Sequence, residues 1–321
     1  MIVGFHTNTL FFRGSENALW DYAVLNESVL GNRSVICVRE STELASSPVA
    51  ARWKSRFSVV TYRSLPELSG KLQQGGVEAL YSIKPGPWDG MVVEGVRNCI
   101  HAMYLTEEFH GDSFAFVSRW MSRAATGREE SYIPHFVARF ESEENLRAKL
   151  GIPAEARVFG RHGGADSFNL PFVRQAVLNH ARRHPQDHFV FLNTHPMDPQ
   201  GDSLPNIHHL PATIDPAAKA SFLATCDAML HAQESGETFG LAIAEFAVLG
   251  KPVITLARPA TGSHAHLEML RGRGLYYFDR GSLESILRDF CPREVRGTEY
   301  EEYADSSRVM GMFRKKFLDS L

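Results

Sequence analysis

Residues 227–255 read Asp227-Ala-Met-Leu-His231-Ala-Gln-Glu-Ser-Gly-Glu237-Thr-Phe-Gly-Leu241-Ala-Ile-Ala-Glu245-Phe-Ala-Val-Leu-Gly250-Lys-Pro-Val-Ile-Thr255. Asp227 to His231 has the pattern of a short apolar strand. A helix runs on through Phe246 to Leu249, Gly250-Lys251-Pro252 stops it, and Val253-Ile254-Thr255 is a β-rich run. The order is strand, loop, helix, break, strand. Glu237 falls in the loop and Glu245 about one turn inside the helix. Backbone N–H groups near Phe239 to Ala242 then lie between two acids. A helix start favours an anion, and a carboxylate accepts hydrogen bonds from hydroxyl groups. A phosphate flanked by two hydroxylated rings, as in a sugar nucleotide, suits this arrangement. The same spacing also fits a plain βαβ unit with two solvated acids.

Outward from this stretch the rhythm repeats. The second half opens with the strand Arg157 to Arg161. The loop His162-Gly163-Gly164-Ala165-Asp166-Ser167-Phe168-Asn169 follows, then a helix from Pro171 to Arg183. Strand, Gly-rich loop and helix can cradle phosphate on backbone amides. Further strands are expected at His188 to Asn193, Asn206 to Leu210 and Gly274 to Phe278. Helices are expected at Pro216 to Thr225, on the outer face, and at Ser282 to Phe290, capped by Ser282. Residues 258–268 form a small-residue loop opening another helix. In the first half, strand patterns occur at Ile2 to His6, Val35 to Val38, Ser58 to Thr61, Ala79 to Ile83, Cys99 to Tyr104 and Phe114 to Ser118. Ser15 to Val29 has helical spacing, with Ser15 as its cap. Phe140 to Leu150 reads as a solvated helix at the domain boundary, placed near residues 137–152. Strands alternating with helices predict parallel sheets covered on both faces.

The 321-residue chain suffices for two domains at about 150 residues each, and its net charge of −3 calls for neither nucleic acid nor an anionic surface. Cys37, Cys99, Cys226 and Cys291 form no C-x-x-C pair and read as reduced thiols of a cytoplasmic protein. Met1 to Phe5 is already strand-like rather than a leader, and no apolar run reaches the ~20 residues of a spanning helix. Trp53-Lys54-Ser55-Arg56-Phe57 leaves peripheral membrane contact open, although a helix end before a strand is the simpler and favoured reading. His180, His184 and His188 recur every four residues, but Pro185 interrupts the helix and no carboxylate completes a metal set. No metal site is expected.

Glu237, seven residues and Glu245, with Phe239-Gly240-Leu241 between them and Gly250-x-Pro252-Val-Ile behind, resembles the retaining glycosyltransferases of the Glu-x7-Glu group, the family 4-like branch of the GT-B fold. The resemblance implies two Rossmann-like α/β domains facing a cleft: an acceptor-side domain over residues 1–140, a nucleotide-sugar domain over 150–295, and a segment over 296–321 whose helix packs back on the first domain. It places Glu237 beside the donor sugar and Glu245 on the ribose diol. Arg161 would neutralise the diphosphate, but Ala165 and Asp166 stand where the group carries a second cation, leaving Arg258 as a substitute. Gly163, Gly164, Thr238, Phe239, Gly240 and Leu241 would contact the donor, as would Thr261, Gly262 and Ser263. Arg13-Gly14-Ser15-Glu16 resembles the group's G-G-x-E turn, with Gly14 near the donor and Arg13 replacing a glycine. Tyr132-Ile133-Pro134-His135-Phe136 is similar to its I-P-N-G segment. His101 would stand near the reacting sugar, or simply end a strand; His110-Gly111-Asp112 is a further cleft candidate.

The implied activity is metal-independent transfer of a sugar, with retention, from a UDP- or GDP-sugar to the hydroxyl of a glycan or other acceptor. The nucleotide sugar is substrate and no cofactor is implied. A sugar-nucleotide epimerase of the same fold and a non-catalytic sugar-nucleotide binder remain alternatives. A pyridoxal-phosphate phosphorylase is disfavoured because Lys251 lies in a Gly-Pro loop.

Overall fold

The apolar runs of the first half become six strands: β1 (Ile2–Thr7), β2 (Arg33–Arg39), β3 (Ser58–Tyr62), β4 (Ala79–Lys84), β5 (Arg97–Ala102) and β6 (Ser113–Phe116). They lie in the order β3-β2-β1-β4-β5-β6, and every neighbouring pair is parallel. All six residues of β4 are buried, as expected of a central strand packed on both faces. The structure is a computed structural model and describes residues 1–8, 14–40, 48–197, 204–259 and 262–319. It divides into two units. The first holds the described residues of 1–136 with those of 305–321, and the second those of 137–304.

In the first unit the helices are α1 (Gly14–Ser28), α2 (Pro48–Arg56), α3 (Leu65–Gln74) and α4 (Arg119–Thr126). Val35, Tyr62, Leu68, Leu72 and Leu80 form part of one of its apolar clusters. Trp53 and Phe57 are buried and Trp53 packs edge-on against Trp20, so the aromatics of that segment face inward and Lys54, Ser55 and Arg56 are left at the surface. Ser15 does not cap α1: the helix already includes Gly14, and the Ser15 hydroxyl donates to Glu16 Oε2 at 2.6 Å.

The second unit begins without the helix expected over residues 140–150. Only α5 (Arg147–Leu150) is helical, and Arg147 does not lie on a solvated face: its Nη2 donates to both Asp227 carboxylate oxygens, at 3.1 and 2.9 Å. Its main sheet comprises β7 (Val158–Arg161), β8 (His188–Leu192), β9 (Ile207–Leu210), β10 (Ala228–Leu230), β12 (Val253–Leu256) and β14 (Leu275–Tyr277). The order is β14-β12-β10-β7-β8-β9, again parallel throughout. Two short strands, β11 (Gly236–Glu237) and β13 (Ser263–His264), pair separately. Helices α6 (Pro171–Arg183), α7 (Pro216–Thr225), α8 (Leu241–Val248), α9 (Ala265–Met269) and α10 (Arg280–Asp289) connect them. The cap of α10 is Asp279, whose carboxylate accepts from the Ser282 amide at 2.8 Å; Ser282 is the reciprocal member of the capping box. The core is built on Phe159, Phe189, Phe191, Leu230, Ile254 and Tyr277.

Glu299–Ala304 is a 3-10 turn of the second unit, and α11 (Ser306–Phe313) with the turn Arg314–Leu318 belongs to the first. There Phe313 stacks on Tyr22 and packs edge-on to Tyr81. Both sheets are parallel, both faces are covered, and the fold is the α/β architecture of two Rossmann-like units. Among the described residues no helix is long and apolar enough to cross a membrane.

Candidate active site

The loop between β10 and α8 is held by two glycines. Gly236 has φ +68°, and a Cβ there would strike the Ser263 carbonyl and Pro259, so glycine lets β11 approach β13. Gly240, at φ +83°, is the N-cap of α8; a Cβ would come within 3.2 Å of Glu237 Cβ. Helix α8 therefore begins at Leu241. Thr238, Gly240, Leu241 and Ala242 are half-buried along this turn, whereas Phe239 is buried. The Phe239 carbonyl accepts from the Tyr300 hydroxyl at 2.5 Å, and its ring packs edge-on against Tyr300. Phe239 thus anchors the turn instead of lining it.

Glu237 keeps 30% of its side chain exposed, with Oε1 3.2 Å from His231 Nε2. Its backbone N–H donates to His266 Nδ1 at 3.3 Å. His231 Nδ1 lies 2.8 Å from Thr255 Oγ1. Burial and the neighbouring His231 hold His266 well below the usual imidazole range, so it accepts as a neutral ring.

Glu245 is more enclosed than a ligand-gripping acid on an open helix. Lys219 Nζ sits 2.5 Å from Oε1, and His162 Nε2 lies 3.0 Å from Oε2, out of line for a well-formed hydrogen bond. Burial pushes the carboxyl upward, but the Lys219 charge and His162 outweigh it and hold the group below the ordinary carboxylate range. Lys219 also lies over the Phe140 ring, 4.4 Å from its centroid. Removing one partner of an enclosed pair strands the other. Glu245→Ala should therefore cost about 3 kcal/mol of stability with no ligand present, and Glu245→Gln less. Denaturant midpoints of the two variants check this.

Arg161 ends β7 and turns its guanidinium into the Gly-rich loop. Nη1 donates to the Asn193 carbonyl at 3.0 Å and to Thr194 Oγ1 at 2.5 Å; Nη2 donates to the Gly164 carbonyl and Ser167 Oγ, both at 2.5 Å. Asn193 Nδ2 in turn donates to the Gly163 carbonyl at 2.8 Å, and Gly163 has φ +140°. Burial lowers the Arg161 pKa to about 10, opposed by the charge of Glu237, so the group stays a cation at neutral pH. The expectation of a guanidinium reaching a diphosphate is revised: its N–H groups hold the loop, and its charge acts through the field it creates.

Several other expectations change. His101 is not presented to a ligand. It is fully buried in the first unit, with Tyr81 Oη 2.7 Å from Nδ1 and the Ile133 carbonyl 2.9 Å from Nε2, and burial lowers its pKa to about 4. Its polar ends are satisfied by the fold. His110, Gly111 and Asp112 form a structural turn, in which Asp112 Oδ2 accepts from the Asn98 amide at 2.7 Å. Gly14 is exposed at the start of α1, and Arg258 is exposed beyond β12. Ser263 is buried, its hydroxyl accepting from the Ala265 amide at 3.3 Å. Arg13 and Thr261 lie outside the described residues. Among the described residues no group of three or more His, Cys, Asp or Glu side chains is arranged to hold a metal ion.

Four residues missed as site members converge here: His162, Lys219, His231 and His266. Topology could have signalled Lys219 and His266. Each helix of a parallel unit starts at the carboxyl edge of the sheet, where ligands bind, and both residues lie in first turns, of α7 and α9. The second unit therefore gathers two carboxylates, two cations and a helix start, suited to an anion joined to hydroxylated groups.

No protein-family model matches the chain, and no curated protein does. Solved structures do match its fold. HepE from Anabaena, in complex with UDP and glucose, aligns at a TM-score of 0.63 and 15% identity, covering 99% of this chain and 95% of that one. WaaG, a glycosyltransferase involved in lipopolysaccharide biosynthesis, aligns at 0.60 and 13% identity, covering 98% and 96%. A putative UDP-N-acetylglucosamine 2-epimerase from Listeria monocytogenes aligns at 0.52 and 11% identity, covering 95% and 90%. The chain thus shares the fold of these structures, the GT-B architecture of two Rossmann-like domains.

Proposed function

We propose that the protein transfers a sugar from a nucleoside-diphosphate sugar, a UDP- or GDP-sugar, to the hydroxyl of a glycan or similar acceptor. The observation that carries this reading is the placement of Glu237 and Glu245 on either side of the start of α8, with the Arg161 guanidinium fixed in the Gly-rich loop of the same unit. Breaking the anomeric C–O bond builds positive charge on the sugar ring and negative charge on the departing diphosphate. The half-exposed Glu237 carboxylate answers the first. The α8 amides and the field of Arg161 answer the second. Glu245 would hold the ribose, exchanging part of its contact with Lys219 for ribose hydroxyls. Because cationic charge is supplied by the chain, the proposed transfer is metal-independent. Retention rests on the resemblance of the Glu-x7-Glu segment.

A panel of UDP-, GDP- and ADP-sugars, assayed with and without acceptor and with EDTA, tests the reading. The expected result is binding and slow hydrolysis of one donor class, faster turnover with an acceptor, unchanged activity in EDTA, and a product whose anomeric configuration matches the donor. Acceptor-free isomerisation would instead favour the epimerase reading, which the Listeria neighbour's fold allows. Failure of every nucleotide to bind would sink both.

A further inference from the structure

We propose that His231 is a positioning residue that acts through Glu237, an inference resting on the preceding reading of Glu237 as the carboxylate beside the sugar. A carboxylate on a two-residue strand, 30% exposed, has little of its own to fix its rotamer. Here its main chain and side chain are each tied to an imidazole. The Glu237 amide donates to His266 Nδ1, and Glu237 Oε1 faces His231 Nε2 at 3.2 Å.

His231 is well placed to act as a fixed support. Its amide donates to the Ile254 carbonyl at 2.8 Å, and its carbonyl accepts from the Tyr277 hydroxyl at 2.8 Å. Its Nδ1 is 2.8 Å from the hydroxyl of Thr255, a fully buried residue on β12. The ring's tautomer follows from its partners. A carboxylate can only accept, so Nε2 carries a proton, and in the neutral ring Nδ1 accepts from the Thr255 hydroxyl. The resulting line runs from Thr255 through His231 to Glu237 Oε1. It pins one carboxylate oxygen from behind and leaves Oε2 to meet a sugar hydroxyl or the charge growing on the ring. Small displacements of such a group cost orders of magnitude in rate. His231 therefore affects turnover of a bound donor, not the grip on its nucleotide.

The test is a double-mutant cycle on the full chain, read with whichever nucleotide sugar the panel identifies. His231→Leu should lower kcat about 10- to 100-fold, with KM for the donor and affinity for the free nucleoside diphosphate unchanged. His231→Gln, whose amide nitrogen reaches the Nε2 position, should recover most of the loss. The double variant His231→Leu/Glu237→Ala should be no slower than Glu237→Ala alone, because a residue acting through another adds nothing once that other's carboxylate is gone. Thr255→Val, a buried isosteric change, should give a smaller loss of the same kind and carries the test if His231→Leu does not fold. Additive losses, a His231→Gln variant as slow as His231→Leu, or nucleotide affinity falling with kcat would overturn the assignment. If Glu237→Gln itself keeps full turnover, the sugar-site reading is what fails. If Glu237→Gln is slow while His231→Leu and Thr255→Val are unimpaired, only the positioning role fails.

Discussion

Glu237→Gln should lower kcat for sugar transfer about 10²- to 10³-fold, the scale observed when one group stabilising transition-state charge is removed. Glutamine keeps the length and the acceptor oxygen, so His231 Nε2 still has a partner and the loop from β10 to α8 keeps its geometry. What is lost is a negative charge facing a ring that becomes cationic. In the ground state that charge has little to act on, so KM for the donor and affinity for the free nucleoside diphosphate should stay within about twofold. Folding should be unaffected: the group is partly exposed and its His231 contact is a single 3.2 Å approach. Steady-state kinetics, nucleotide calorimetry and a denaturant midpoint on the same preparation separate the effects. Wild-type kcat in this variant would remove Glu237 from the reaction.

The frame of this molecule was legible because strands buried on both faces are written as unbroken apolar runs. Val35 to Val38, Ala79 to Ile83 and His188 to Asn193 became β2, β4 and β8 with little displacement. Pro171 and Pro216 marked the starts of α6 and α7, since a proline at the first helical position sacrifices no hydrogen bond. The errors arose where a side chain chose a partner, near or far in sequence, that the pattern of residue types does not specify. Arg147 looked like part of a solvated face and instead closes on Asp227. Ser282 looked like a cap and is the third residue of a box opened by Asp279. His101 ends a strand as expected, but whether an imidazole faces a ligand or the core depends on what covers it. Here Tyr81 and the Ile133 carbonyl take both nitrogens. The site was legible to the same depth. Spacing marked Glu237 and Glu245, but Lys219, 26 residues before Glu245, could be paired with it only once two successive helices were stacked against the sheet.

Acidification should begin to destabilise the first unit well above the pH at which carboxylates titrate. Burial, with the Lys84 charge, lowers His6 to about 4; burial lowers His101 to about 4 and His135 well below its ordinary value. All three belong to the first unit. In an unfolded chain an imidazole titrates near 6.5. Above that pH both states are neutral and the full stability is present. As pH falls below 6.5 the unfolded chain takes up protons that the folded unit refuses, and stability drops until the folded pKa is reached. A shift from 6.5 to about 4 corresponds to roughly 3 kcal/mol for each of His6 and His101. Together that is comparable with the 5–15 kcal/mol that holds a typical domain. The four tryptophans, Trp20, Trp53, Trp88 and Trp120, all lie in this unit, so their fluorescence follows its unfolding alone. Denaturant midpoints read that way should be flat from pH 8 to about 7 and fall steeply between pH 6.5 and 4.5. His6→Gln should flatten the slope by about one proton's worth, whatever it does to the absolute level, because His6 Nε2 meets Tyr62 Oη at 2.5 Å and an amide can keep that contact without titrating. A midpoint that does not move between pH 7.5 and 5 would mean that these imidazoles take up protons in the folded unit as readily as in the unfolded chain, and that their burial is not what sets its acid limit.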